Sequence, residues 1–380
     1  MSRLTIIADE NIPKVEEYFS ALGDVLIVDG RQLSNRQVID ADILLVRSVT
    51  PVNRLLLQGS KVRFVATATI GFDHLDIDYL QSAGIAWASA PGCNADSVVD
   101  YIFSAFCRLD GVLAHLLADG VVGIIGMGNV GGRLYQRLSQ LNITCRCYDP
   151  LIPQDRFPVL TDIDSVLRSD VLCLHAPLTF EGDNPTYHLL DERRLQQLKP
   201  GTVLINAGRG AVVDNQALKQ QLSCRDDLCV VLDVWEGEPK IDSDLLKRVD
   251  LGTSHIAGYS LDGKLQGTQM IYQACCEFLD IKVSVSDSVE ENDLSIKLDP
   301  NQSVVSSIKD VVLAIYDLGR DDQNLRGALL HGAAEKRKLG FDQLRKNYPE
   351  RREFSRFSIS NSQELTTEII NSLTALGVSC

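Results

Sequence analysis

Arg209, Glu238 and His255 each stand in a short polar motif that follows an apolar run: Asn206-Ala-Gly-Arg-Gly, Asp233-Val-Trp-Glu-Gly-Glu-Pro and Ser254-His-Ile-Ala-Gly-Tyr. Oxidising a secondary alcohol removes a hydride and a proton, and the proton needs a base. An imidazole suits that role near neutral pH because its unperturbed pKa is ~6.5. His255 is the candidate base. Glu238 would hold its ring and stabilise the imidazolium that proton abstraction creates, while Arg209 offers a planar fork to a substrate carboxylate and polarises the forming carbonyl. Taken singly, each has a plainer account. A histidine after a strand caps or meets solvent, a loop arginine is solvated, and a Glu-Pro pair ends a helix or opens a turn.

Upstream, Val121-Val-Gly-Ile-Ile-Gly-Met-Gly-Asn-Val-Gly-Gly sets Gly126, Gly128 and Gly131 in GxGxxG spacing, directly after a strand-like run and at the opening of a helical one. Gly126 allows the tight turn, Gly128 lets backbone approach a pyrophosphate, and Gly131 permits close packing of helix on strand. The helix N-terminus, with Asn129 and Val130, adds N–H groups and partial positive charge. The next strand ends at Tyr148-Asp-Pro, so Asp149 lies near the ~20-residue distance at which a carboxylate meets an adenosine ribose. Asp149 would repel a 2′-phosphate, which favours NAD over NADP. Thr179, in His175-Ala-Pro-Leu-Thr, has a hydroxyl suited to the nicotinamide half, and His175 reads as structural or cofactor-side.

Positioning such residues takes parallel sheets. Apolar runs at Leu4 to Ala8, Val25 to Val28, Ile43 to Val46, Arg63 to Ala66 and Ile85 to Ala88 alternate with helical stretches, the rhythm of βαβ units. A second series occupies Val121 to Ile125, Thr144 to Tyr148, Val171 to His175, Thr202 to Asn206, Cys229 to Leu232 and Leu251 to Ser254. Between the two, apolar spacing from Asn94 through Leu117 predicts one long helix. A helix is expected from Leu261 to Leu279, a polar boundary over Asp280 to Pro300, then a helix over Val304 to Leu318 and a short strand near Phe357 to Ile359.

The chain has 380 residues, 45% of them apolar and 23% charged, enough for two or three domains and unlike disordered or fibrous sequences. Its 51 acidic and 37 basic residues leave a formal charge of −14, a poor footprint for nucleic acid or an anionic membrane. An anionic ligand must therefore meet a local basic pocket. The N-terminal run reaches acid by the ninth residue, unlike a secretory signal, and no stretch approaches the ~20 apolar residues of a membrane span. The ten cysteines lack paired metal-ligand spacing. They read as reduced core thiols in a cytoplasmic protein, with no metal site expected.

The order glycine loop, Arg209, Glu238, His255 resembles the D-isomer-specific 2-hydroxyacid dehydrogenase family over about Leu4 to Leu279. The resemblance implies an α/β fold with two Rossmann- or flavodoxin-like parallel-sheet domains, and here a small C-terminal α+β dimerisation domain. The implied division is a substrate-binding domain at 1–93 and 256–285, an NAD-binding domain at 94–255 and the dimerisation domain at 286–380. Val46-Arg-Ser-Val-Thr, Ala66-Thr-Ala-Thr-Ile-Gly-Phe-Asp-His, Ala90-Pro-Gly-Cys-Asn-Ala and Leu344-Arg-Lys-Asn-Tyr-Pro-Glu-Arg-Arg-Glu extend it over essentially the whole chain. They point to a branch of the family that acts on a phosphorylated four-carbon hydroxy acid.

Carried over position by position, the resemblance implies substrate contacts from Ser48, Thr69 and Tyr259. It implies cofactor contacts from Asp149, Thr179, Asp233 and Gly258. Serine and threonine in strand-end loops also bond their own backbone, which is the competing account of these hydroxyls. Arg47 is a further phosphate candidate because guanidinium grips phosphate in pairs, against a solvated loop arginine. The basic run Arg345, Lys346, Arg351, Arg352 and Arg356 reads as an exposed helix face, with a phosphate site or a charged subunit contact as the alternative. Two other functions stay open: a dehydrogenase of another hydroxy acid such as phosphoglycerate, and an NADH-sensing binding protein on the same fold.

Overall fold

The computed structural model describes residues 3–283, 294–331 and 334–380. The expected domain boundary near 285 lies outside them. Two compact units result, one from residues 3–94 and 260–283 and the other from 95–259 with the described residues after 293.

The first unit holds a parallel sheet of β1 (Leu4–Asp9), β2 (Gly23–Val28), β3 (Ile43–Val46), β4 (Phe64–Thr67) and β5 (Ala86–Ala88), in the order β2-β1-β3-β4-β5. Ile-Leu-Leu-Val of β3 is buried at every position, as a central strand covered on both faces must be, whereas edge strand β2 exposes Leu26 and Ile27. The helix Leu261–Leu279 packs Ile271, Tyr272, Cys275 and Cys276 into this unit's core with Phe19 and Phe64. Its start is fixed by the Ser260 hydroxyl, which accepts the Gly263 N–H at 2.8 Å.

The second unit holds β6 (Val121–Ile125), β7 (Thr144–Tyr148), β8 (Val171–Leu174), β9 (Val203–Asn206), β10 (Cys229–Leu232) and β11 (Leu251–Gly252), all parallel, in the order β11-β10-β9-β8-β6-β7. Strand order reverses at β1/β3 in one sheet and at β6/β8 in the other. Such switch points open a crevice beyond the C-terminal strand ends. The glycine loop follows β6, and the three polar motifs follow β9, β10 and β11, which are adjacent.

The helix expected from Asn94 through Leu117 is two helices, Ala95–Arg108 and Val112–Ala118, bent by 102° at a break where Gly111 takes φ 77°. A left-handed residue cannot continue a right-handed helix, and glycine adopts it without strain. Among the described residues no single helix is long and apolar enough to cross a membrane. The helix expected over Val304 to Leu318 also divides, into Val304–Ile315 and Leu318–Leu329. Tyr316 is extended between them, and its carbonyl accepts the buried Ser104 hydroxyl at 2.9 Å. The apolar helix Ala95–Arg108 is thereby enclosed, with Ile308, Val311 and Val312 sharing its core.

The rest of the C-terminal segment comprises helices Ala334–Lys346 and Thr367–Ala375 and a two-stranded parallel sheet of β12 (Leu294–Ile296) and β13 (Phe357–Ile359). β12 falls within the stretch expected to be a polar boundary. The exposed-face reading of the basic run fails at Arg351, which is buried. Its guanidinium lies 4.2 Å from the Tyr316 ring centroid and donates to the carbonyls of Ser97 and Ala257. All ten cysteines are free thiols.

Candidate active site

His255 follows β11 and has φ 57°, a left-handed conformation that costs a non-glycine residue about 1–3 kcal/mol. The loop is held in that shape by Asp233, at the end of β10. Its buried carboxylate accepts the Ile256 N–H at 2.8 Å, the Ala257 N–H at 3.0 Å and the Thr253 hydroxyl at 2.6 Å. Hydrogen bonds to a charged acceptor contribute about 1.5–3 kcal/mol each, enough together to hold the strained residue. Trp235, buried below, donates its indole N–H to the Thr253 carbonyl at 2.9 Å and ties the β10 loop to the β11 loop.

Within this frame Glu238 reaches His255: its two carboxylate oxygens lie 2.9 and 3.1 Å from Nδ1. Burial alone would raise the Glu238 carboxyl, but the facing His255 ring and the Arg345 charge bring it below its ordinary value. An ionised carboxylate only accepts, so Nδ1 carries a proton, and in the neutral imidazole the lone pair falls on Nε2. That is the tautomer a base requires. Arg209 sits one strand over, after β9, with Nη1 donating to the Gly208 carbonyl at 2.9 Å. Its loop is seated on the β10 loop at Gly210, where a Cβ would fall 2.0 Å from the Trp235 carbonyl carbon.

At the other end of the sheet the glycine loop divides its labour as the spacing predicts. Gly126 has φ 92°, and a Cβ there would meet the Ala176 nitrogen at 2.6 Å. A Cβ on Gly131 would lie 1.9 Å from the Gly126 carbonyl oxygen, while one on Gly128 would meet nothing within 4 Å. Backbone is therefore bare at Gly128, at the N-terminus of the helix Asn129–Gln140, as a pyrophosphate needs. A cavity of about 840 Å³ opens there and runs along the helix to Ile152, Arg156 and Phe157. Asp149 faces the loop: one oxygen accepts the Met127 N–H at 2.8 Å and the other the Leu151 N–H at 3.0 Å. A carboxylate has further lone pairs for ribose hydroxyls. These residues fit a dinucleotide.

The implied hydroxyl contacts are engaged with their own loops. Thr179 Oγ1 accepts the Thr186 N–H at 3.1 Å and lies 3.2 Å from the Thr186 hydroxyl. In the first unit, Thr69 Oγ1 is 2.7 Å from the Thr67 hydroxyl and donates to the Gly71 carbonyl at 3.0 Å. Ser48 is exposed and Arg47 partly buried just beyond β3, and the buried Nη1 of Arg47 has no hydrogen-bond partner. Gly258 and Tyr259 lie on the His255 loop, where the Tyr259 ring stands edge-on to Tyr348 at 5.7 Å.

His175, read from the sequence as structural or cofactor-side, and several residues given no role there have distinctive surroundings. His74 Nε2 lies 3.0 Å from the Thr67 hydroxyl, and burial pushes its pKa down to about 4. Burial pushes His175, whose ring nitrogens have no hydrogen-bond partner, down to about 4 as well. Asp9, buried at the end of β1, keeps Oδ2 without a partner. His188, Asp214 and Glu236 have ligand atoms within 4.8 Å of one another, a cluster that hydrogen bonding accounts for, with His188 Nε2 2.9 Å from Glu236. Burial and missing partners set His74, His175 and Asp9 apart, and the His188–Glu236 contact joins residues 48 apart in the chain, none of which a short motif marks.

Comparison with known proteins places this geometry. The family model described as "D-isomer specific 2-hydroxyacid dehydrogenase, NAD binding domain" matches residues 105–257, and a "Domain of unknown function (DUF3410)" matches 288–377. Erythronate-4-phosphate dehydrogenase of Cellvibrio japonicus (strain Ueda107) is 48% identical, covering 99% of this chain and 100% of the relative. The chain belongs to the erythronate-4-phosphate dehydrogenase family. The enzyme of that name from Pseudomonas fluorescens (strain Pf0-1) is 45% identical over 99% of this chain and all of its own. Among solved structures, D-lactate dehydrogenase from Aquifex aeolicus, complexed with NAD and lactic acid, has a TM-score of 0.61 at 24% identity, covering 72% of this chain and 95% of that one. NAD+-bound 3-phosphoglycerate dehydrogenase of Entamoeba histolytica has a TM-score of 0.63 at 21% identity, covering 75% and 99%. At such identities the likeness shows the fold. The erythronate-4-phosphate dehydrogenases match over full length, including the C-terminal segment.

Proposed function

We propose that this chain oxidises 4-phospho-D-erythronate to (R)-3-hydroxy-2-oxo-4-phosphooxybutanoate, a step towards pyridoxal 5′-phosphate, and that the 2.9 Å contact between His255 and Glu238 carries the chemistry. NAD, when bound, accepts the hydride from the carbinol carbon. His255 Nε2 takes the hydroxyl proton, and Glu238 holds the ring and stabilises the resulting imidazolium. Arg209 pairs with the substrate carboxylate and polarises the forming carbonyl. Gly126, Gly128, Asn129, Val130, Gly131, Asp149, Thr179, Asp233 and Gly258 hold the cofactor in this reading. Ser48, Thr69, Tyr259 and Arg47 hold the substrate.

Residues 1–93 and 256–285 form the substrate-binding domain, 94–255 the NAD-binding domain, and 286–380 pairs two copies into a homodimer. Free thiols throughout suit a cytoplasmic enzyme. The test is NADH formation from 4-phosphoerythronate, with 3-phosphoglycerate as competitor, and light scattering of the full chain for the dimer. Turnover is expected with the former and lost in His255→Ala. A preference for phosphoglycerate, or NADH binding without turnover of either acid, would replace this reading.

A further inference from the structure

We propose that Arg345, supplied by the C-terminal segment, grips the phosphate of the substrate and sets the preference for phosphorylated over unphosphorylated hydroxy acids. The inference rests on the reading above and singles out one residue of the basic run, for which an exposed face was expected and a phosphate site or a charged subunit contact was the alternative. Arg345 lies in the last turn of the helix Ala334–Lys346. Its guanidinium carbon is 5.7 Å from the centroid of the Tyr259 ring, four residues beyond His255 on the same loop.

Three arginines of the C-terminal segment reach towards the β11 side of the sheet, and two are consumed as clamps. Arg326 gives Nε to Asp322 and its terminal nitrogens to the carbonyls of Leu246 and Val249. Arg351 gives Nη2 to the carbonyls of Ser97 and Ala257. Arg345 is used differently: its side chain hydrogen-bonds Tyr259 on the His255 loop, the Glu238 and Asp233 charges act on it, and its Nε, like Nη1 of Arg351, is buried without a hydrogen-bond partner. A buried donor left unmade costs about 1–3 kcal/mol, more on a cation, so the position is one that an anion would stabilise. Nε is also one corner of the planar fork that binds phosphate in pairs.

Reach agrees with this role. The reacting carbinol is C2 and the phosphate is carried on C4, so with bonds of roughly 1.5 Å the phosphorus lies about 5 Å from the carbon attacked. The Arg345 guanidinium carbon lies 5.7 Å from the centroid of the Tyr259 ring, on the loop that carries His255, and its charge acts on Glu238, which touches His255. In a chain of net charge −14 a dianionic phosphate needs such a local cation.

The experiment compares Arg345→Gln, Arg345→Lys and Arg47→Gln with the wild type on 4-phosphoerythronate and on erythronate, using the full chain. Arg345→Gln should lower kcat/KM for the phosphorylated acid about 10²-fold more than for erythronate, the excess falling chiefly on KM, while any loss through Glu238 is common to both acids. Arg345→Lys, which keeps charge but not the fork, should fall between. Equal losses on both acids, no loss on either, or discrimination that vanishes in Arg47→Gln but survives in Arg345→Gln would overturn the proposal. Should Arg345→Gln fail to fold, the same selectivity ratio is read from Arg345→Lys. Inorganic phosphate gives an arm independent of the substrate: it should raise the thermal midpoint of the wild type and not of the Arg345 variants. If the wild type ignores 4-phosphoerythronate yet shows that phosphate effect, the functional reading fails and the phosphate site stands. If phosphate protects all variants equally, the site fails.

Discussion

The two parallel sheets begin with the same topology, the second strand outside the first and the third on its other side, yet their C-terminal ends are furnished differently. Beyond β9, β10 and β11 stand charged groups fixed by buried backbone bonds, as Asp233 fixes the His255 loop. Beyond β3 and β4 stand Arg47 and hydroxyl groups, Ser48 exposed and Thr69 bonded to its own loop. Topology provides a crevice in both cases, and beyond the second sheet stands the His255–Glu238 acid–base pair. The hydroxyls can orient a ligand; the imidazole and carboxylate can move its proton.

Removing the base should give the largest effect. His255→Ala is expected to cut kcat about 10²- to 10⁴-fold with little change in the thermal midpoint, since the side chain is only partly buried. A loss of less than tenfold in NADH formation would erase the contrast between the sheets. Asp233→Ala should follow, losing both activity and stability. It strands two buried N–H groups and the Thr253 hydroxyl, at about 1–3 kcal/mol for each unmade bond, so urea unfolding should shift by several kcal/mol. An unchanged unfolding midpoint there would mean that the His255 loop keeps its left-handed turn without help.

The glycine loop sharpens the comparison within the second sheet. Gly128→Ala meets no atom within 4 Å and should fold as the wild type while weakening NAD binding tenfold or more, about 1.4 kcal/mol. Gly131→Ala drives a methyl to 1.9 Å from a backbone oxygen and should lose stability as well. Calorimetry with NAD and a melting curve separate the two. If both lose only stability, Gly128 is not an approach point for the cofactor. Thr69→Val, in the first sheet, should raise KM about three- to tenfold and leave kcat alone, the cost of one neutral hydrogen bond.

Much of this was readable from the residues and some was not, and the division follows distance along the chain. The strands showed because central ones are unbroken apolar runs such as Ile43–Val46, and the glycine loop because its whole signal fits in one turn. The break at Gly111 stayed hidden because apolar spacing continues across it, so only the left-handed backbone reveals two helices. Arg351 looked solvated since charge runs usually are; its burial depends on Tyr316, Ser97 and Ala257, none of them near it in sequence. Arg345 was visible as a charge but not as a neighbour of Tyr259. The Asp233 carboxylate, implied by resemblance as a cofactor contact, is occupied by the backbone of the catalytic loop, a role that depends on which N–H groups the fold brings to it.

The smallest effect concerns acid. His74 in the first unit and His175 in the second are both partly buried, each with its pKa brought down to about 4 by desolvation. Unfolded, each would titrate near ~6.5. Between those values the unfolded chain binds more protons than the folded one, so stability is complete above about pH 6.5 and falls as pH drops towards 4. Both residues retain some exposure, which reduces the penalty to about 1 kcal/mol each at pH 5. His74→Gln keeps a hydrogen-bonding group for Thr67 and removes one titration, so its unfolding free energy should decline less steeply between pH 6.5 and 5 than that of the wild type. The same should hold for His175→Asn. If His74→Gln flattens the slope and His175→Asn does not, acid opens the hydroxyl-lined sheet first, and Thr69 should lose its loop contact before the His255–Glu238 pair is disturbed. Parallel slopes for both variants and the wild type would mean that neither imidazole is held neutral.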